Sequence, residues 1–207
     1  MPRLPVSPRF AALGMLALAA SVPVRLHAQQ RELAYGVTGA VNLARISGDN
    51  QEGNKSLLGF GFGGFLRTPL GGSLSLQPEL AIMGKGSKFE DDAKIRITYL
   101  ELPVLARVAF GGSDRARPFV VAGPALAVKA GCQLNVAGDK VGCNDQTTGV
   151  KSTDLSVVAG AGVESAKFAV SLRYLLGLTN INGNSGGVAV VKNRALSLQV
   201  AYLLGKR

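Results

Sequence analysis

Apolar and polar residues alternate with a period of two along most of this chain. Such alternation predicts β-strands, because successive side chains of a strand point to opposite faces of the sheet. No convincing helical period follows the first thirty residues. Eight segments alternate, each about as long as the 9–11 residues with which a tilted strand crosses a bilayer. They are 33–43, 57–67, 73–83, 97–109, 118–129, 154–165, 168–178 and 194–204.

Each of the clearest segments has one apolar face and one face of small or charged residues. In 73–83, Leu76 and Leu80 share the first face, whereas Gln77 and Glu79 share the second. A soluble sheet presents a dense polar face to water, but here the polar face is sparse. Small side chains and isolated charges suit the interior of an eight-stranded barrel, which is only wide enough for side chains to fill.

The connections between these segments alternate in length. The polar stretches 44–56, 84–96, 130–153 and 179–193 are long, and the turns between them are short. Membrane barrels of bacteria have long outer loops and tight periplasmic turns. We therefore predict an all-β protein, an eight-stranded antiparallel up-and-down transmembrane β-barrel. The alternative is a secreted or periplasmic soluble barrel that holds a small apolar ligand, in which the apolar face would point inward.

Charges inside such a barrel must be paired, because burying a lone charge is very unfavourable. Three carboxylates and three guanidinium groups fall on the predicted inner faces. We predict an interior charge network of Arg67, Glu79, Glu101, Arg107, Glu164 and Arg173. The alternative is a set of solvent-exposed ion pairs on a soluble sheet.

The first 28 residues have the pattern of an export signal. Arg3 and Arg9 precede the apolar run FAALGMLALAA at 10–20, and small residues suited to cleavage end the stretch at Ala28. The alternative is an N-terminal amphipathic helix. We predict a cleavable signal peptide over 1–28 and one barrel domain over 29–207, exported to the outer membrane of a bacterium.

Several motifs of the chain are similar, in order, to one family of barrels. They are GVTGAVNLARISGDN (36–50), GFGGFLRTPLGGSLSLQPELAIMGKGSK (61–88), YLELPVLARV (99–108), PFVVAGPALAV (118–128), RYLLGLTNI (173–181) and KNRALSLQVAYLL (192–204). They resemble the strands of the PorT-like outer-membrane β-barrel proteins and cover most of the mature chain. The resemblance implies a membrane barrel and says little about activity, since one fold supports many functions.

The histidine content bears on catalysis. The single histidine, His27, lies in the predicted signal peptide, so the mature chain cannot form a Ser-His-Asp, Cys-His or histidine metal site. The stretch 183–187 matches G-x-S-x-G, for which a Ser–Lys pair is the remaining alternative. The stretch 59–64 matches G-x-G-x-x-G, but no helix pattern follows it, as a dinucleotide site requires. We expect no enzyme activity.

Charge and composition give further expectations about partners. The formal net charge is +10, but the lysines are scattered and form no nucleic-acid groove. Contact with outer-membrane lipid head groups is favoured instead. Acidic loop residues such as Glu90, Asp91 and Asp139 match no EF-hand spacing, so we expect no cofactor and no metal. The expected protein is a monomer with a structural role, or one that binds an unidentified ligand or protein through its outer loops.

The two cysteines of the chain, Cys132 and Cys143, both lie in the stretch 130–153. An exported protein meets an oxidising compartment, so we predict a disulfide between them, worth roughly 3 kcal/mol in the chain-entropy model. The intact mass of exported protein under non-reducing conditions should lack two hydrogens. Two free thiols in that protein would refute the bond.

Overall fold

A computed structural model describes residues 33–48, 55–88, 93–111, 116–136, 139–142, 151–181 and 191–206. The described residues form β-strands joined by turns and short irregular stretches. Within them, no helix is long and apolar enough to cross a membrane. The strands are β1 (Ala34–Gly48), β2 (Lys55–Gly71), β3 (Leu74–Lys88), β4 (Lys94–Ala109), β5 (Arg117–Val136), β6 (Asp139–Gly142), β7 (Thr153–Ser165), β8 (Phe168–Gly177) and β9 (Val191–Lys206).

Eight of these strands close into an antiparallel barrel. Each barrel strand pairs with the next along the chain, and β9 pairs with β1 over nearly the whole length of both. The short strand β6 stands outside the ring and pairs only with the end of β5. The predicted all-β, up-and-down architecture is confirmed, because every strand of the ring has a hydrogen-bonded neighbour on both sides.

The apolar face of the barrel points outward. Leu76, Leu102, Leu172 and Leu198 are 38%, 46%, 52% and 49% exposed, whereas Glu101 is 4% exposed. The rest of this outer belt consists of leucine, valine, isoleucine, phenylalanine and tyrosine. A soluble barrel with an apolar ligand inside would show the opposite arrangement, so that alternative is wrong.

Strands extend further than the sequence pattern predicted. β3 continues to Lys88 and β4 begins at Lys94, so both strands extend into the predicted loop 84–96. β5 continues to Val136 and pairs with β6, both within the predicted loop 130–153. The prediction was wrong here because apolar alternation ends where the bilayer ends, whereas backbone hydrogen bonding continues into water.

Glycines on the inner face of β2 allow close approach of the neighbouring strand. A Cβ atom at Gly59 would lie 2.0 Å from the carbonyl oxygen of Gly84, and one at Gly63 would lie 2.3 Å from that of Leu80. The stretch 59–64 is therefore a continuous part of β2, and it does not lead from a strand into a helix as a dinucleotide site would.

Prolines interrupt the ladder on three adjacent strands. Pro78, Pro103 and Pro124 lie within β3, β4 and β5, and Cα partners are missing from the β2–β3, β3–β4 and β4–β5 ladders beside them. Proline has no N–H to donate, which explains the gaps.

The predicted signal peptide over 1–28 lies outside the described residues, so its cleavage stays a prediction.

Candidate functional site

The lumen of the barrel holds a charged network at its turn end. Arg67 on β2 and Arg107 on β4 both contact one oxygen of Glu164 on β7, with Arg67 Nη1 at 2.7 Å and Arg107 Nη2 at 2.9 Å from Oε2. Successive side chains of a strand point to opposite faces of the sheet, and these three point into the lumen. Two cations thus share one carboxylate across the width of the lumen.

The network continues toward the middle of the barrel through a glutamine. Arg67 donates from Nε to Oε1 of Gln77 at 3.0 Å, and Gln77 donates from Nε2 to Oε1 of Glu79 at 2.6 Å. Arg173 on β8 then binds Glu79 with both terminal nitrogens, at 2.8 and 3.0 Å. This two-point geometry fits the fork of a guanidinium to a carboxylate. We call Arg107, Glu164, Arg67, Gln77, Glu79 and Arg173 the lumen chain.

Glu101 departs from the predicted network. It pairs with Lys85 on β3, whose Nζ lies 2.5 Å from Glu101 Oε1, and neither atom makes a well-directed hydrogen bond. Lys85 was predicted to lie in the loop 84–96, because the apolar face of the segment 73–83 ends at Ile82. The strand continues through Lys85, which lies 2% exposed inside the barrel. The structure therefore brings together five of the six predicted residues and gives Glu101 a different partner.

A second polar cluster, absent from the prediction, lies nearer the loop end. Asp154 accepts hydrogen bonds from Thr179 Oγ1 at 2.6 Å and from Asn193 Nδ2 at 2.8 Å, and Asn193 also lies 3.4 Å from the hydroxyl of Tyr99. Thr179 and Asn193 belong to the stretch that the sequence pattern presented as loop 179–193. The last residues of that stretch, from Val191, belong to β9. Only their pairing with β1, which the sequence pattern does not reveal, identifies them as part of a strand.

Apolar side chains close the lumen at the loop end. Ile97 and Tyr99 are fully buried there, at 0% exposure. The buried cluster around them consists of Ile46, Ile95, Ile97, Tyr99, Ala127 and Ile181, with Cys132, Leu134 and Val191 packed against it. A cavity of about 50 Å³ lies lower, between the Glu79–Arg173 pair and Glu101. That volume is enough for a few water molecules and too small for a solute path.

The remaining predicted sites fall partly outside the described residues. Cys132 lies on β5, whereas Cys143 is outside them, and the disulfide stays a prediction. The stretch 183–187 is outside them as well. Among the described residues, no group of three or more His, Cys, Asp and Glu side chains could hold a metal ion.

Comparison with known proteins assigns the family. A family model described as "Outer membrane protein beta-barrel domain" matches residues 27–183, most of the chain. The chain belongs to this family of outer-membrane β-barrels. The matched range ends before β9, the strand that completes this outer-membrane barrel by pairing with β1 and β8. Membership places the protein in the bacterial outer membrane, in agreement with its outward apolar belt.

The chain is similar to several solved structures of outer-membrane proteins. The outer membrane enzyme PagL is 18% identical, with a TM-score of 0.51, and the match covers 81% of this chain and 98% of PagL. Neisserial surface protein A is 14% identical, with a TM-score of 0.47, over 81% of this chain and 96% of that protein. Ail of Yersinia pestis is 12% identical, with a TM-score of 0.45, over 84% and 99%. No curated protein is significantly similar in sequence.

The pairing of Glu101 with Lys85 gives a test of the lumen. We expect Glu101→Lys to lower the free energy of unfolding by about 3–5 kcal/mol, because it leaves two buried ammonium groups without a carboxylate. The double variant Lys85→Glu, Glu101→Lys should recover much of that loss. Urea unfolding of protein folded in lipid vesicles measures both.

The matched control is Lys167→Glu, a charge reversal at an exposed turn, which should change stability by less than about 1 kcal/mol. A double variant no more stable than Glu101→Lys would contradict the assigned pairing.

Proposed function

We propose that this protein is a non-enzymatic outer-membrane barrel that acts as a closed, lipid-embedded scaffold and meets its partners at its long-loop end. One observation carries the proposal. The lumen chain crosses the interior from Arg107 to Arg173, and the apolar cluster around Tyr99 fills the bore above it. An eight-stranded barrel has no space for both these side chains and a water-filled channel.

The absence of enzyme activity is part of the proposal, since the fold alone does not decide it. PagL, an outer membrane enzyme, has a barrel of the same kind. Support comes from the chemistry of this chain, whose single histidine, His27, lies in the predicted signal peptide. The carboxylates of the lumen chain are held by guanidinium groups in two-point and shared contacts, which leaves them poorly suited to accept a proton from a substrate.

The loop end is the surface that the proposal assigns to binding. There β5 and β6 form a hairpin that continues the barrel wall past Val128, an outward apolar residue of the belt. The predicted disulfide between Cys132 and Cys143 would stiffen this hairpin. The resemblance to PorT-like barrels is part of the same proposal. It supports a membrane-barrel architecture and identifies no ligand.

Lipid is the first partner in this proposal. Arg45 on β1 and Arg194 on β9 are direct Cα partners, and both are exposed on the outer face beside the exposed Leu43 and Leu196. Like charges opposite each other on neighbouring strands repel. An anionic lipid head group at the margin of the apolar belt would relieve this repulsion. The proposed unit is a monomer, since its exposed apolar surface is accounted for by the bilayer.

Ion conductance tests the closed lumen. Protein reconstituted in planar bilayers should give no steady conductance above that of protein-free bilayers, because the lumen chain and the Tyr99 cluster block the bore. A denatured sample carried through the same reconstitution is the control. Steady channels with a reproducible unit conductance would contradict the proposal.

A further inference from the structure

Three arginines line a cavity at the turn end of the barrel. Arg67, Arg107 and Arg117 surround about 240 Å³, together with the single carboxylate of Glu164 and the serines Ser73 and Ser75. The cavity opens toward the short turns, which face the periplasm when the long loops face outward. It is a different place from the loop end to which the proposed function assigns binding.

Positive charge exceeds negative charge around this cavity. Within its lining, three guanidinium groups meet one carboxylate, and two of them already share a single oxygen of that carboxylate. Arg117 lies directly across the sheet from Glu164, as its Cα partner. Guanidinium groups are always charged, so the excess cannot be removed by losing a proton. An added anion is the remaining way to balance it.

One donor of Arg107 is buried without a partner. The residue is 4% exposed, its Nη2 contacts Glu164 at 2.9 Å, and its Nε makes no hydrogen bond. The guanidinium carbon lies 4.0 Å from the ring centroid of Phe119. Stacking on the ring covers one face of the group and leaves the in-plane N–H edge for hydrogen bonding. Buried donors are almost always paired, so this edge is ready for an acceptor.

We propose that the turn-end cavity binds a phosphate-type oxyanion between Arg67, Arg107 and Arg117. Planar guanidinium groups fit the oxygens of such an anion in pairs, and the hydroxyls of Ser73 and Ser75 add neutral donors. A volume of about 240 Å³ holds a phosphate together with part of the molecule that carries it. The anion reaches the cavity either as a soluble phosphate of the periplasm or as the head group of an anionic phospholipid.

The test uses the full mature chain folded in an uncharged detergent. Inorganic phosphate is titrated at constant ionic strength, with chloride as the balancing salt, and binding is followed by calorimetry and by the thermal unfolding midpoint. We expect saturable binding and a raised midpoint. Arg117→Gln should weaken binding about tenfold or more, equivalent to about 1.4 kcal/mol, because Arg117 is exposed and lies outside the lumen chain. Arg117→Lys should recover part of the affinity.

The matched control is Arg96→Gln, which removes an exposed arginine on β4 at the opposite end of the barrel and should leave phosphate binding unchanged. Equal effects of phosphate and chloride, or equal losses in the two glutamine variants, would overturn the site. Vesicles of anionic phospholipid then identify the source. Competition with phosphate assigns the site to a lipid head group, and lack of competition assigns it to a soluble phosphate; both results support an oxyanion site.

Discussion

The hydrocarbon interior of a bilayer offers no hydrogen-bond partner to a peptide group. Each backbone N–H and C=O that crosses it must therefore pair within the protein, which for strands requires a closed ring. The pairing of β9 with β1 and of β4 with β5 meets this requirement, so no strand of the ring has an open edge. Closure also settles the side chains, because the pleat then sends every second residue to lipid and every other one into the bore.

The narrow bore determines how charge is arranged. Its inner face combines glycine, alanine and serine with two clusters of buried apolar side chains and a few large polar groups. Those polar groups meet each other across the lumen. The lumen chain shows the result: Glu79 and Glu164 belong to strands far apart in sequence and are joined through Arg67 and Gln77. Removing one partner would leave a charge in a place that water cannot freely reach. At the turn end the same principle leaves a surplus of arginine around a cavity.

The sequence was sufficient to predict which residues face lipid. It also predicted most of the charged residues that contact one another inside the barrel. The alternation determines which face of the sheet each side chain takes. It therefore assigned Leu76 and Leu198 to the outer belt, and Glu79 and Arg173 to the lumen. It does not determine register, that is, which residues of neighbouring strands lie opposite each other. Lys85 could not be matched with Glu101 because polar residues near the bilayer edge look alike whether they lie in a strand or a loop. The β5–β6 hairpin was missed for the same reason, since strands in water need no apolar face.

The arrangement of outer and inner side chains can be measured directly in lipid. Methyl-labelled protein in lipid nanodiscs would be compared with and without a nitroxide placed near the end of the acyl chains. The methyl signals of Leu76, Leu102, Leu172 and Leu198 should broaden strongly, because these side chains are exposed on the outer face. Signals of Leu105, Val121 and Val158, which lie inside, should broaden much less, because the barrel wall separates them from the acyl chains. Strong broadening of the inner methyls together with sharp outer ones would contradict the account.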